Sequence, residues 1–293
     1  MRIARVRVDE FATPVVALVV DGALYDVATL ESHWALQPPV VGGGFQARVV
    51  GARCAGLEEL DGRLRAGQRP TEARLLPGEY LPLPPCDPNR AAYVQLAPYG
   101  QPGSTPAYQR RDSRSLVGDG QPVAFPAGVD RPRLEVGLAV VLADDLWRAT
   151  AVEAERAILG HTLVFDWSSE DEPWTSSCRG PGPPSQLGPE LWLGTRLPRR
   201  ALGAVQLAIA GQLAPAGEVD AWRFSPAESL AYLSQHTPLR AGDVVGTGCL
   251  PSGRVPDGQR DLRFGDRCAA TLPGGLTLTG WAVAGPPLGS WRA

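Results

Sequence analysis

Glu135 and Asp166 are the residues whose type and spacing could do chemistry. Glu135-Val136-Gly137 opens an apolar run, and Asp166 closes the run Gly160-His161-Thr162-Leu163-Val164-Phe165-Asp166. Residues 134–142 read as a buried strand. On a strand, residues 135 and 137 project from one face because side chains repeat with period two. Such a strand could offer two neighbouring ligands to a cation, but here it offers a Glu and a Gly. A hard divalent ion takes several oxygen ligands, usually one or two carboxylates with water and substrate oxygens. The pattern reads as a metal site for Mg²⁺ or Mn²⁺ with one carboxylate removed. Restoring a Glu at 137 is then expected to raise metal affinity.

Composition narrows the chemistry. All 28 basic residues are Arg and none is Lys. No side chain can form a Schiff base or serve as an amine base, and a P-loop lysine is excluded. A coding bias accounts for the replacement, and the exclusion holds whatever its origin. The net charge of -3 gives no reason to expect nucleic acid or a membrane as partner. No apolar run reaches the roughly 20 residues that span a bilayer, and the first residues lack the apolar region of a signal peptide, so a cytoplasmic location is expected. The five cysteines, at 54, 86, 178, 249 and 268, show no CxxC spacing, which argues against a zinc ribbon or a disulfide framework.

The elements that must position the carboxylates are mostly strands. Residues 2–8 and 14–20 read as strands, and Asp21-Gly22 is a tight turn into a third strand at 23–27. Leu57, Leu60 and Leu64 give residues 52–66 helical spacing. Pro77, Pro82, Pro84, Pro85 and Pro88 make 75–88 an extended linker. A small α+β domain over 1–75 and a larger domain over 76–293 follow. In the latter, strands are expected at 134–142, 162–165, 205–209, 243–247, 267–272 and 276–283. Helices are expected at 151–159 and 225–234, the second opening on the capping-box sequence Ser225-Pro226-Ala227-Glu228. The stretch 180–184 is a loop by composition.

In order and spacing these pieces resemble the fumarylacetoacetate hydrolase superfamily. The resemblance rests on Glu135-Val136-Gly137-Leu138, on Gly160-His161-Thr162 leading to Phe165-Asp166-Trp167-Ser168, and on Leu187-Gly188-Pro189. Gly242-Asp243-Val244-Val245 with Thr247-Gly248-Cys249 completes it. It implies a mainly β (α+β) fold, a mixed sandwich or rolled barrel with a small N-terminal α+β domain, assembled as a homodimer. Glu135 and Asp166 fall on the family's metal ligands and Gly137 on its missing one. Arg111 and Arg179 fall on or near two family lysines, where each could hold an anionic oxygen. Thr247, with Gly248 beside it, matches a position that holds the substrate carboxylate.

The carboxylates stand either as ligands of a weakly held Mg²⁺ or Mn²⁺ or as partners of Arg111 or Arg179. Glu170 could restore a third carboxylate or be an exposed loop acid. His161 is a packed core histidine or an acid–base group, and Cys249 a small buried residue or a nucleophile. His33 and His236 read as structural or surface residues. Tyr93, Tyr99 and Tyr108 could line a pocket. The family's water-activating His and Glu are missing, because residues 89–111 contain no His, Asp or Glu. The substrate class implied is a small β-diketo or 2-oxo acid. The reaction expected is enolate chemistry without hydrolysis: tautomerisation, decarboxylation, dehydration or cyclisation. Two alternatives stay open, a non-catalytic member that binds a metabolite or partner, and a metal-dependent carbon–carbon hydrolase with a remodelled site.

Overall fold

A computed structural model describes residues 1–38, 44–89, 91–96, 108–125, 129, 131–169, 184–219, 224–254 and 262–285. The chain opens with β1 (Arg2–Arg7), β2 (Val15–Val20) and β3 (Ala23–Asp26), followed by α1 (Val27–His33), a π-helical turn (Gln46–Gly51) and α2 (Leu57–Arg65). Five strands come next: β4 (Arg74–Leu75), β5 (Leu81–Leu83), β6 (Tyr93–Leu96), β7 (Tyr108–Arg111) and β8 (Pro122–Ala124). The centre is β9 (Pro132–Leu142), α3 (Ala151–Arg156), β10 (Ile158–Ser169) and β11 (Gln186–Leu193). The chain continues through β12 (Ala204–Ile209), β13 (Gln212–Glu218), α4 (Pro226–His236), β14 (Val244–Arg254), β15 (Cys268–Thr271) and β16 (Thr277–Val283). The fold is mainly β, as expected.

Two sheets carry the structure. The larger runs β4-β3-β2-β1-β11-β10-β9-β14-β6-β7 with β5 beside β1, and the smaller runs β13-β12-β15-β16-β8. The N-terminal strands continue the large sheet, because β1 pairs antiparallel with β11 (Ile3↔Leu191). The proline-rich stretch supplies a strand as well, with Pro82 opposite Val6.

Three departures from expectation have local causes. The helix expected over 52–66 starts at Leu57, because Arg53 and Cys54 take the left-handed region (φ 49° and 58°) and interrupt it. The helix expected over 151–159 stops at Arg156, and Ile158 begins β10. That strand reaches Ser169 rather than covering 162–165 alone. It is buried on both faces, so it shows no polar–apolar alternation to mark its ends.

Both faces of the large sheet are covered. On one, Leu30, Val49, Leu57, Leu60 and Leu64 of the helical segments pack on Leu18, Val141 and Val164. On the other, Leu138, Leu163 and Phe165 pack against Leu207, Ala270 and Leu278 of the small sheet, while Val140, Leu142 and Val245 lie under α3 and α4. Helix α4 begins with a full capping box, in which the Ser225 hydroxyl accepts from the Glu228 amide at 3.2 Å and the Glu228 carboxylate accepts from the Ser225 amide at 2.8 Å. Ser225→Ala is expected to cost about 1 kcal/mol, read as a lowered midpoint of urea unfolding with an unchanged slope.

The large sheet is rolled. β10 and β7 are four strands apart, which in a flat sheet would be about 19 Å at the usual strand spacing. Yet Arg111 at the end of β7 reaches Asp166 on β10. The edge strands β6 and β7 must therefore curl over the face that carries Asp166.

Candidate functional site

Asp166 and Glu135 are direct partners in the β10–β9 ladder, so their side chains share a face and stand beside each other. Like charges so placed destabilise a sheet unless something offsets them. Two groups do so at Asp166. Ser185 precedes β11, one step beyond the Phe165↔Gln186 pair, and its hydroxyl donates to Asp166 Oδ1 at 3.0 Å. Arg111 places Nη2 at 3.2 Å from Oδ1 and 3.3 Å from Oδ2. Tyr93, opposite Arg111 on β6 and fully buried, has its hydroxyl in hydrogen-bond contact with Ser185. A tyrosine–serine–aspartate–arginine chain thus lies against Glu135, with the Asp166 side chain 12% exposed and that of Arg111 20%.

The electrostatics follow from burial. Desolvation pushes the Asp166 carboxyl upward from its ordinary value, Arg111 and Ser185 pull it back, and Glu135 pushes it up again. Burial pushes the Tyr93 hydroxyl upward too, with Asp166 adding to the effect, so it stays protonated as a donor. The Nε–H of Arg111 is buried and has no hydrogen-bond partner among the described residues.

Gln186 fixes the start of β11 and so the position of Ser185. Its side-chain nitrogen lies 3.2 Å from the Gly118 carbonyl, 2.9 Å from that of Gln121 and 3.4 Å from that of Thr279, while its Oε1 accepts from Trp167 Nε1 at 3.0 Å. It ties the two sheets together directly behind the Asp166 contact.

The space at residue 137 is closed by backbone. Gly246 pairs with Ala139 and Cys249 with Gly137, so β14 carries one residue more than β9 over this step, a β-bulge. Within the bulge Gly248 has φ +93°, open to glycine but strained for other residues. Its carbonyl is driven toward Gly137. A Cβ on residue 137 would overlap the Gly248 carbonyl oxygen, with Val164 Cγ1 at 3.3 Å on another side. Among the described residues it is this carbonyl, and not the side chain of Arg111, that stands at the place beside residue 137.

The other candidates are dispersed. His161 lies an odd number of residues from Asp166, so the two face opposite sides of β10. It pairs with Val140, is 2% exposed, and its Nε2 lies 3.2 Å from the Thr195 carbonyl. Tyr108 is 38% exposed and stacks on His236, while Arg110 donates to Thr237. Both thus project toward the end of α4, on the side of β7 opposite Arg111. The Thr247 hydroxyl donates to the Leu138 carbonyl at 3.0 Å, so its one proton is committed and a ligand meets an acceptor there. His33 is a partly exposed partner of Glu72. Arg179, Glu170, Cys178 and Tyr99 lie outside the described residues, as does the side chain of Cys249. Ser185 escaped the sequence reading, although pairing the Leu-Gly-Pro strand antiparallel to the Asp166 strand would have placed it opposite Asp166.

His161 carries a pH signature. Burial pushes its pKa down from 6.5 to about 4, and its Nδ1 is a buried atom without a partner among the described residues. The unfolded chain takes up this proton below pH about 6.5, while the folded chain resists until about 4. Stability is therefore lost as pH falls across that window, by about 3 kcal/mol from this group. His161→Asn should flatten the decline, seen as a shallower slope of urea midpoint against pH than in the parent.

With these neighbours, Glu135 and Asp166 fit a divalent cation poorly. Asp166 is engaged through both oxygens, the third carboxylate position is closed to a side chain, and what stands there is a neutral carbonyl. Among the described residues no group of three or more His, Cys, Asp or Glu could hold a metal ion.

Known proteins place this geometry. Oxaloacetate tautomerase YcgM of Escherichia coli (strain K12) is 28% identical over 169 residues, covering 53% of this chain and 71% of that protein. Fumarylpyruvate hydrolase of a Ralstonia species is 24% identical over 175 residues, covering 57% and 87%. Maleylpyruvate hydrolase from Sphingobium sp. SYK-6, solved in complex with manganese(II) and pyruvate, shares the fold with a TM-score of 0.70 at 16% identity, over 98% of this chain and 100% of its own. The sequence model of the fumarylacetoacetate (FAA) hydrolase C-terminal family matches residues 86–282, from the end of the proline-rich stretch to the last strand. The chain belongs to the fumarylacetoacetate hydrolase family.

Proposed function

We propose that this chain is an enzyme that interconverts keto and enol forms of a small 2-oxo or β-diketo acid, without hydrolysis. The observation that carries the reading is the Tyr93–Ser185–Asp166–Arg111 chain, which joins a buried carboxylate of raised pKa to a guanidinium with an unused donor. Arg111 would hold the substrate's carboxylate or enolate oxygen through charge-assisted bonds. Asp166 would take the proton from the carbon next to the carbonyl as the carbonyl electrons move to oxygen. It would then return the proton to that oxygen or to a further carbon. Its raised pKa suits this exchange, because a base works best when its pKa lies near the working pH. Ser185 would hold the carboxylate in position, with the Tyr93 hydroxyl behind it.

Water activation has less support. His161, the one histidine near Asp166 in sequence, faces the other side of the sheet and is held neutral to about pH 4. Among curated relatives both a tautomerase and a hydrolase occur. The engagement of both Asp166 oxygens by Arg111 also favours a second reading, in which the site binds an anionic metabolite and does no chemistry.

Proton NMR in D₂O with oxaloacetate, pyruvate and an acylpyruvate separates these readings. The expected result is loss of the α-proton signals faster than in buffer, with no cleavage. No exchange above buffer for any of the three would remove the enzyme reading in favour of binding, and cleavage of the acylpyruvate would make the chain a hydrolase. Homodimer assembly is part of the proposal, with a mass of two chains expected by light scattering.

A further inference from the structure

We infer that in this chain the guanidinium of Arg111 neutralises the buried Asp166 carboxylate in place of a divalent cation, so that the anionic ligand is held without metal. Three independent features of the chain converge on this. The first is steric. The β14 bulge places the Gly248 carbonyl where the side chain of residue 137 would begin, and the bulge needs a residue able to take φ +93°. The loss of a carboxylate at 137 is thus built into the backbone of the neighbouring strand and is more than a single-residue change.

The second is electrostatic. With residue 137 a glycine, two carboxylates stand side by side on β9 and β10, and the Arg111 guanidinium reaches that of Asp166 from the edge strand. Its Nη2 straddles both oxygens of Asp166, so a cation approaching that carboxylate meets a positive charge already there. With Asp166 already paired to a guanidinium, the site competes poorly with the hydration shell of a Mg²⁺ or Mn²⁺ ion.

The third is the unused donor. A guanidinium presents five N–H groups in a planar fork, matched to a carboxylate. The buried Arg111 Nε–H has no partner among the described residues, so the fork has capacity left for a second, exogenous oxygen. The ligand class that suits it is a planar 2-oxo carboxylate or its enolate, whose two adjacent oxygens can share one guanidinium. Ligand class aside, the inference rests on the geometry around Asp166 and not on the reaction proposed above.

Two titrations test it on the whole chain. Electron paramagnetic resonance of Mn(II) should show the free aquo ion undiminished by stoichiometric protein at millimolar concentration. Isothermal titration with oxalate, a planar mimic of a 2-oxo acid enolate, should show binding that excess EDTA leaves unchanged. Arg111→Lys keeps the charge but loses the fork, and should weaken oxalate roughly ten- to hundredfold while melting close to the parent. Stoichiometric Mn(II) binding by the parent would overturn the inference, as would oxalate binding that requires Mn(II) or that Arg111→Lys leaves unchanged. Failure of the D₂O exchange alone would sink the proposed reaction and leave this inference standing.

Discussion

Asp166→Asn is expected to lower the rate of α-proton exchange by roughly 10² to 10⁴-fold, the usual contribution of a positioned general base, while the protein keeps its fold. The amide oxygen can still accept from Ser185, which in the parent donates to Oδ1 at 3.0 Å. What the amide lacks is the charge that draws Arg111 and the basicity that takes a proton. The variant also has a stability signature. Burial raises the Asp166 carboxyl in the folded chain, so the folded state binds its proton more tightly than the unfolded state. As pH rises from the unfolded carboxylate value through the higher folded one, the parent loses stability. The asparagine variant lacks that decline, so the stability difference should shift in its favour across the window. Unchanged exchange in Asp166→Asn would show that this carboxylate is not the base. A parallel pH dependence in parent and variant would show that it is not the buried titrating group.

Gly137→Glu should destabilise the protein by about 3 kcal/mol or more, at the upper end of what overpacking a well-filled core costs, and should not create a metal site. Read from sequence alone, the same substitution restores a ligand. The structure reverses that expectation because the obstacle is the Gly248 carbonyl, a backbone atom that cannot rotate away. Gly137→Ala isolates the steric part. It should lose stability although alanine is otherwise better tolerated than glycine in a strand, and it should couple non-additively with changes at Gly248, since the two residues define one contact. Urea unfolding of the single and double variants measures the coupling. A Gly137→Glu variant as stable as the parent, with tight Mn(II) binding, would show that the bulge yields.

The sequence carried much of this in some places and little in others. The strands at 2–8 and 276–283 were legible because part of one face of each is lightly covered, so polar and apolar residues alternate, and that at 14–20 because it is a short β-branched apolar run ending at a turn, although it is almost wholly buried. β10 was under-read at four residues because both its faces are buried, and β11 went unseen because Gly188 and Pro189, both poor strand formers, interrupt its apolar residues. At the candidate site, Glu135 and Asp166 were singled out from residue type and spacing and Arg111 from the family resemblance, and the fold brings the three together. Tyr108, His161 and Thr247 were candidates on the same grounds, but strand parity turns the first two away and a local hydrogen bond occupies the third. Parity can be read from sequence once the strand is right; the roll that brings Arg111 back over Asp166 cannot. The same holds for the bulge at Gly248, an offset between two strands more than a hundred residues apart.

The roll has a consequence for how the site comes into being. Arg111 and Asp166 are 55 positions apart in the chain and meet only after the strands between them have paired and the sheet has curled. Closing such a loop is entropically unfavourable until the intervening contacts exist, so the ion pair belongs to the last stage of folding. Its loss, by the same reasoning, need not wait for the core to melt: detachment of the two edge strands β6 and β7 would dismantle the ligand pocket while β9, β10 and β11 stay paired. Binding competence in this chain therefore reports on the outermost and least anchored part of the sheet, and a ligand held there would act as a clasp on it.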